Sequence, residues 1–199
     1  MKFNGNINTL STITNSDVLS LLQIKLNNYD WDHDPCLLYN KEKDVAFNDS
    51  YCIQFTPSSL MCHIRSTYKQ NYTESTLELT KLGDIISSEI HQLFPDHYHL
   101  KSHFVAIIPH GKQIRHTDES FYHRYSKRLV VPIITTNLSY TNFDNDIYTL
   151  EVGTIYEMNN RVPHWSENND DEIRVFLFMD LISPINLQII KNHYKYYHE

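Results

Sequence analysis

The second half of the chain limits the fold most. From residue 100 onward, short β-rich runs follow one another: "HFVAIIP", "QIRHTD", "RLVVPIITT", "IYTLEV", "TIYEM" and "EIRVFLFMDLI". Between them lie "PHGK", "NFDND", "EVGT" and "ENNDDE", all of turn-forming composition. Several strands at close spacing, with no helical pattern between them, argue for a sandwich or barrel.

The first half has a different texture. "NSDVLSLLQIKLNN" offers Asn15 or Ser16 as an N-cap and apolar residues at Val18, Leu21, Leu22 and Leu26, a helical spacing. "STLELTKLGDIISSEIHQLF" predicts a second helix over 75–94, with Gly83 inside it, and "YCIQFT" (51–56) predicts a strand between the two. The tail "SPINLQIIKNHYKYYHE" returns to helix, with Pro184 in its first turn. The expected class is α+β, mainly β: a double-stranded β-helix of the jelly-roll, cupin-like kind. N-terminal helices pack on it and a C-terminal helix closes it. At 199 residues the chain suits one domain. Within it, 1–99 is a helical N-terminal part with a strand, 100–183 the jelly-roll core and 184–199 the last helix.

Composition excludes some roles. A formal charge of −7, with no cluster of Lys and Arg, argues against a grip on nucleic acid. The apolar runs, such as "LVVPII", are too short for a membrane span. The polar start "MKFNGNINTLSTITNSD" lacks the apolar stretch of a signal peptide. Cys36, Cys52 and Cys62 fit neither paired disulfides nor a zinc spacing, and read as reduced thiols of a cytoplasmic protein.

Chemistry enters at "QIRHTDESFYHRYSKR". On an extended segment His116 and Asp118 point the same way, because side chains alternate faces along a strand. His164 follows in "NNRVPHWSEN", and Arg174 comes ten residues later within "EIRVFLFMDLI". In that last run Ile173, Val175, Leu177 and Met179 face one side, and Arg174, Phe176 and Phe178 the other. An unpaired guanidinium among apolar neighbours is costly and needs an anion, from a carboxylate side chain or from a ligand. Two histidines and a carboxylate on one face form the pattern that holds non-haem ferrous iron for oxygen chemistry. A buried arginine nearby suits the distal carboxylate of a dicarboxylic co-substrate, taken as a bidentate pair.

The stretch "HTD…KRLVVPIITT…VGTIYEMNNRVPHWSENNDDEIRVFLFMD" resembles the aspartyl/asparaginyl β-hydroxylase family of Fe(II)- and 2-oxoglutarate-dependent dioxygenases, over roughly Phe104 to Asp180. The resemblance implies that His116, Asp118 and His164 are iron ligands and carry the catalysis, with Fe(II), 2-oxoglutarate and O2 as cofactor and co-substrates. It implies that Arg174 binds the C5 carboxylate of 2-oxoglutarate, and that Arg128 lies near co-substrate and substrate. The target would be the β-carbon of Asp or Asn in a polypeptide. One departure is Val130, where the family usually has a histidine two positions after the arginine; the contact of that histidine with the C1 carboxylate is then missing.

Tyr122, Arg124 and Trp165 are candidate substrate contacts, since "SFYHRY" directly follows the ligands; aromatic packing accounts for the same residues equally well. Asn160 and Asn168 are candidates to orient the His164 loop by hydrogen bonds. Other functions stay open at this point. Small relatives hydroxylate free amino acids such as proline, a jelly roll with a silent site is a binding protein, and a cupin-type isomerase or hydrolase uses similar ligands.

Overall fold

The computed structural model describes residues 5–31, 50–55 and 74–195. Cys36 and Cys62 lie outside them, and Cys52 falls in strand β2. In chain order the elements are β1 (Ile7–Thr12), α1 (Ser16–Asn27), β2 (Ser50–Phe55), α2 (Glu74–His91), β3 (Tyr98–Ile107), a 3-10 turn (Phe121–Arg124), β4 (Ser126–Ile134), β5 (Ser139–Phe143), β6 (Asp146–Tyr148), β7 (Thr154–Met158), β8 (His164–Asn168), β9 (Arg174–Ile182) and α3 (Pro184–Lys195). The strands form a six-stranded sheet in the order β1-β7-β4-β9-β3-β2 and a three-stranded sheet in the order β6-β5-β8. Every pairing is antiparallel. This is the mainly-β jelly roll with packed helices that the turn-separated runs predict.

The expected helices form, with ends moved by a few residues. Asn15 is the cap of α1, its side chain accepting from the Val18 amide at 3.2 Å. Helix α2 runs Glu74–His91, ending short of the predicted residue 94. Two differences matter more. β1 is a strand where the sequence is too polar to announce one; as an edge strand it is only partly buried, and its apolar pattern is correspondingly weak. "QIRHTD" is not a regular strand: only isolated bridges, Lys112↔Glu167 and His116↔His164, tie it to β8. Those bridges still place the histidine pair across from each other.

Alternation divides the large sheet into two chemistries. Leu129, Val131 and Ile133 of β4, Val175, Leu177, Met179 and Leu181 of β9, and Phe104 and Ala106 of β3 face the helices. There they join Leu22, Leu26, Leu79, Ile86 and Ile90 in one buried cluster. Each fully buried aliphatic side chain contributes roughly 1.5–3 kcal/mol, so this face supplies the stability of the sheet. The opposite face looks into the jelly roll. Its cluster of Val130, Phe143, Leu150, Tyr156, Met158 and Phe176 lines the space between the two sheets. The turn into β7 needs Gly153, whose φ is +73° and whose added Cβ would lie 2.9 Å from the Leu19 side chain.

Candidate metal centre

The triad His116, Asp118 and His164 converges: one ligand atom from each lies within 4.8 Å of the others. The backbones of His116 and His164 exchange two hydrogen bonds, of 3.0 and 2.8 Å, and their ring centroids are 4.5 Å apart. His116 Nδ1 donates to the Ile114 carbonyl at 2.8 Å and His164 Nδ1 to the Val162 carbonyl at 2.9 Å. A carbonyl only accepts, so each Nδ1 carries a proton, which leaves Nε2 as the nitrogen to face a metal. Burial holds the His164 pKa down to about 4, so this ring is neutral at pH 7. These are the tautomers a metal requires.

Asp118 is prepared in the same way. Its Oδ2 accepts from Arg128 Nη1 and, at 3.0 Å, from Asn160 Nδ2, which leaves Oδ1 as the oxygen for a cation. The Asp118 amide donates to the Asn160 carbonyl at 3.0 Å, so Asn160 grips both ends of this residue. Burial alone would raise the carboxyl pKa, but the Arg128 cation, aided by His123, His164 and Asn160, outweighs it and holds Asp118 ionised. Two imidazoles and one carboxylate, each fixed by a second hydrogen bond, fit Fe(II).

Arg128 is fully engaged by the protein. Its Nε and Nη2 fork onto Asp180, both at 2.9 Å; Nη1 meets Asp118, and Nη2 also lies 2.9 Å from His123 Nε2. This guanidinium supports the candidate ligand Asp118. Arg174 is the reverse case. It is buried, with Nη2 donating to the Thr141 hydroxyl at 2.8 Å, its guanidinium 3.7 Å from the Phe176 ring centroid, and its Nε without a partner. No carboxylate of the described residues pairs with it. Burial pulls its pKa down to about 9, which still leaves it cationic at pH 7.

The small sheet sets the distance from Arg174 to the triad. Thr141, which receives Arg174, and Phe143, which pairs with His164, are two residues apart on β5. Their side chains therefore point the same way, roughly 7 Å apart. Arg174, which has no carboxylate partner among the described residues, thus reaches β5 two residues from the partner of His164.

The three candidate substrate residues do not join this centre. Tyr122 packs with Leu100, Ile182, Leu187 and Ile190 under α3. Arg124 is exposed. Trp165 lies on β8 between His164 and Ser166, so it faces away from the triad, with Nε1 donating to Glu167 at 3.0 Å. Asn168 pins the turn into β9, donating to the carbonyls of Ile107, Ile108 and Glu172. Asp180 is the residue that sequence reasoning missed; its partner lies 52 residues away and is found only through the β4–β9 register.

The profile of the aspartyl/asparaginyl β-hydroxylase family matches residues 36–184, well over half of the chain. No curated protein sequence matches the chain. Among solved structures, a viral collagen prolyl hydroxylase from Paramecium bursaria Chlorella virus-1, described as a 2-oxoglutarate complex, aligns with a TM-score of 0.53 and 9% identity over 90% of this chain and 97% of that one. A prolyl-4-hydroxylase of Pseudomonas putida aligns at 0.50 and 14% identity, over 89% and 92%. At such identities the two likenesses speak to fold alone.

Proposed function

We propose that this chain, which belongs to the aspartyl/asparaginyl β-hydroxylase family, hydroxylates the β-carbon of an Asp or Asn residue in a polypeptide, using Fe(II), 2-oxoglutarate and O2. The observation that carries the reading is Arg174: a buried cation with no carboxylate partner among the described residues, on the same inner face as two histidines and a carboxylate that converge in one place. Under this reading His116 Nε2, His164 Nε2 and Asp118 Oδ1 hold the iron, and Arg174 with Thr141 takes the C5 carboxylate of 2-oxoglutarate. Phe176, Tyr156 and Phe143 then keep water from the space between. Arg128, held by Asp180, keeps Asp118 ionised and aimed.

Bound there, iron with 2-oxoglutarate and O2 supplies the oxidation of an unactivated C–H bond. The balance is R–H + O2 + 2-oxoglutarate → R–OH + succinate + CO2. The protein's part is to hold the reacting groups in register and exclude water. Among the described residues no helix is long and apolar enough to cross a membrane.

The test is anaerobic addition of Fe(II) and 2-oxoglutarate, followed by air and a panel of Asp-, Asn- and Pro-containing peptides and the free amino acids. The expected result is a weak visible charge-transfer band, then one succinate per hydroxylated Asp or Asn, read as a gain of one oxygen mass. No band would refute the enzyme class. Turnover of free proline alone would refute the substrate.

A further inference from the structure

Helix α3 grows directly out of β9. Ser183 alone stands between Ile182, the last residue of β9, and Pro184, the first of α3. Its carbonyl accepts from the Leu187 amide at 2.9 Å, and its hydroxyl from the Asn186 amide at 3.4 Å. Pro184 occupies the first helical turn, where its missing N–H costs no bond. The helix is therefore fixed to the strand that carries Asp180.

From there α3 grips the 3-10 turn Phe121–Arg124 along its whole length. At the start, the Phe121 ring stacks on His193 with centroids 3.5 Å apart. In the middle, Tyr122 is buried against Leu187 and Ile190 of α3, together with Leu100 and Ile182. Just past the end, the Tyr125 carbonyl accepts from Asn186 Nδ2 at 2.9 Å. A 3-10 turn of four residues is too short to hold itself in water, so these contacts set its place.

The turn presents His123 to the interior. His123 Nε2 lies 2.9 Å from Arg128 Nη2 and 3.8 Å from Asp180 Oδ2, and Arg128 Nη1 donates to Asp118. The backbone makes the same connection, since Asp118 precedes Ser120 by two residues. Asn160 holds Asp118 on one side, and Arg128 with the turn beside it holds the other. Contacts thus run without a gap from α3 to the carboxylate of the triad.

We propose that α3 positions the candidate ligand Asp118, with Asn186 and Leu187 as positioning residues that keep the 3-10 turn, and through it His123 and Arg128, in place. The proposal rests on the iron site of the proposed function and gives a role to a helix outside that site.

The test compares Asn186→Asp and Leu187→Ala with the unmodified protein and with Leu79→Ala. Asn186→Asp keeps the size of the side chain and loses the N–H that meets the Tyr125 carbonyl. Leu187→Ala opens space beneath Tyr122. Leu79→Ala makes the same truncation in the helix-facing core, away from the turn. Fe(II) affinity is read under argon by competition with a fluorescent chelator. The visible spectrum of bound Co(II) reports the ligand geometry, and urea midpoints report stability.

Outer support of a metal ligand is worth about 10–100-fold in affinity, so both α3 variants should bind Fe(II) about tenfold more weakly. Their Co(II) spectra should change as well. Leu79→Ala should lose as much stability as Leu187→Ala, yet keep its Fe(II) affinity within about twofold, because distant sites act independently. Asn186→Asp removes no buried volume, so the proposal does not hang on Leu187→Ala folding. Unchanged affinity and spectra in the folded α3 variants overturn the proposal, as does an equal loss in Leu79→Ala. If the unmodified protein binds neither ion, the proposed function has failed and this proposal falls with it.

Discussion

Arg128 and Asp180 meet as a two-pronged pair, Nε to Oδ1 and Nη2 to Oδ2, both 2.9 Å, with both side chains buried. Burial by itself would lower the arginine's pKa and raise the acid's. Asp180 and Asp118 outweigh it at Arg128, and Arg128 outweighs it at Asp180, so all three stay charged. The pair anchors the guanidinium whose remaining nitrogen holds the proposed metal ligand Asp118.

Removing Arg128 should therefore damage the protein itself. Arg128→Met leaves the buried Asp180 and the half-buried Asp118 without their cation, a loss of about 3–5 kcal/mol for breaking such a pair. Urea unfolding of the metal-free protein should show a lower midpoint by that measure. A midpoint within about 0.5 kcal/mol of the unmodified protein, the range of an ordinary surface change, would contradict the role given to Arg128.

Asp180→Asn should act more gently. Arg128 keeps Asp118 but loses its own anchor, and loss of such outer support typically lowers metal affinity about 10–100-fold. Competition with a fluorescent iron chelator measures it. Unchanged affinity would mean that Asp118 is held by Asn160 alone.

His164→Ala should abolish tight iron binding while leaving the fold intact, because His164 contributes a lone pair in a neutral ring and little to the helix-facing core. Elemental analysis of the variant, with circular dichroism as the control on folding, decides it. Full metal occupancy in a folded variant would contradict the ligand assignment.

Acid should destabilise the metal-free protein early. Burial pushes His99 and His123 down to about 4 and His103 well below its ordinary value. Unfolded histidine titrates near 6.5, so below that pH the unfolded chain binds protons that the folded one refuses. The stability from these rings is complete above about 6.5 and is lost as the pH falls toward 4. Asp84, pushed up to about 6 by burial, has the opposite sign and offsets part of it. Each uncompensated proton is worth up to ~1.4 kcal/mol per pH unit. Urea midpoints at pH 7.2 and 5.2 should differ accordingly, and His103→Phe should reduce the difference. A flat profile would contradict the buried, neutral histidines.

Much of the candidate metal centre was legible in the sequence, because its residues announce themselves locally. His116 and Asp118 are two apart, and Arg174 interrupts an alternating apolar run, so strand periodicity alone sets it on the inward face. What was not legible depends on register. Arg128↔Asp180 and His103↔Phe178 are cross-strand neighbours fixed by how β4, β9 and β3 align. A single histidine in "HFVAIIP" carries no sign of which face it takes. Tyr122 was open between substrate lining and aromatic packing for a related reason, and the structure packs it beneath α3.

The account stands or falls on Arg174. Its partner is either the co-substrate or a part of the protein, and thermal melts of the unmodified protein and Arg174→Met, each with and without 2-oxoglutarate, separate the two. The prediction is that the metal-loaded unmodified protein gains stability with 2-oxoglutarate by mass action. The variant should melt, without co-substrate, at least as high as the unmodified protein, since a buried and unpaired charge has been removed. Its affinity for 2-oxoglutarate should fall about 30-fold or more, as expected for losing a buried charged pair worth ~2 kcal/mol or above. A variant that melts lower on its own and still binds 2-oxoglutarate as before would make Arg174 a scaffold residue and contradict the account.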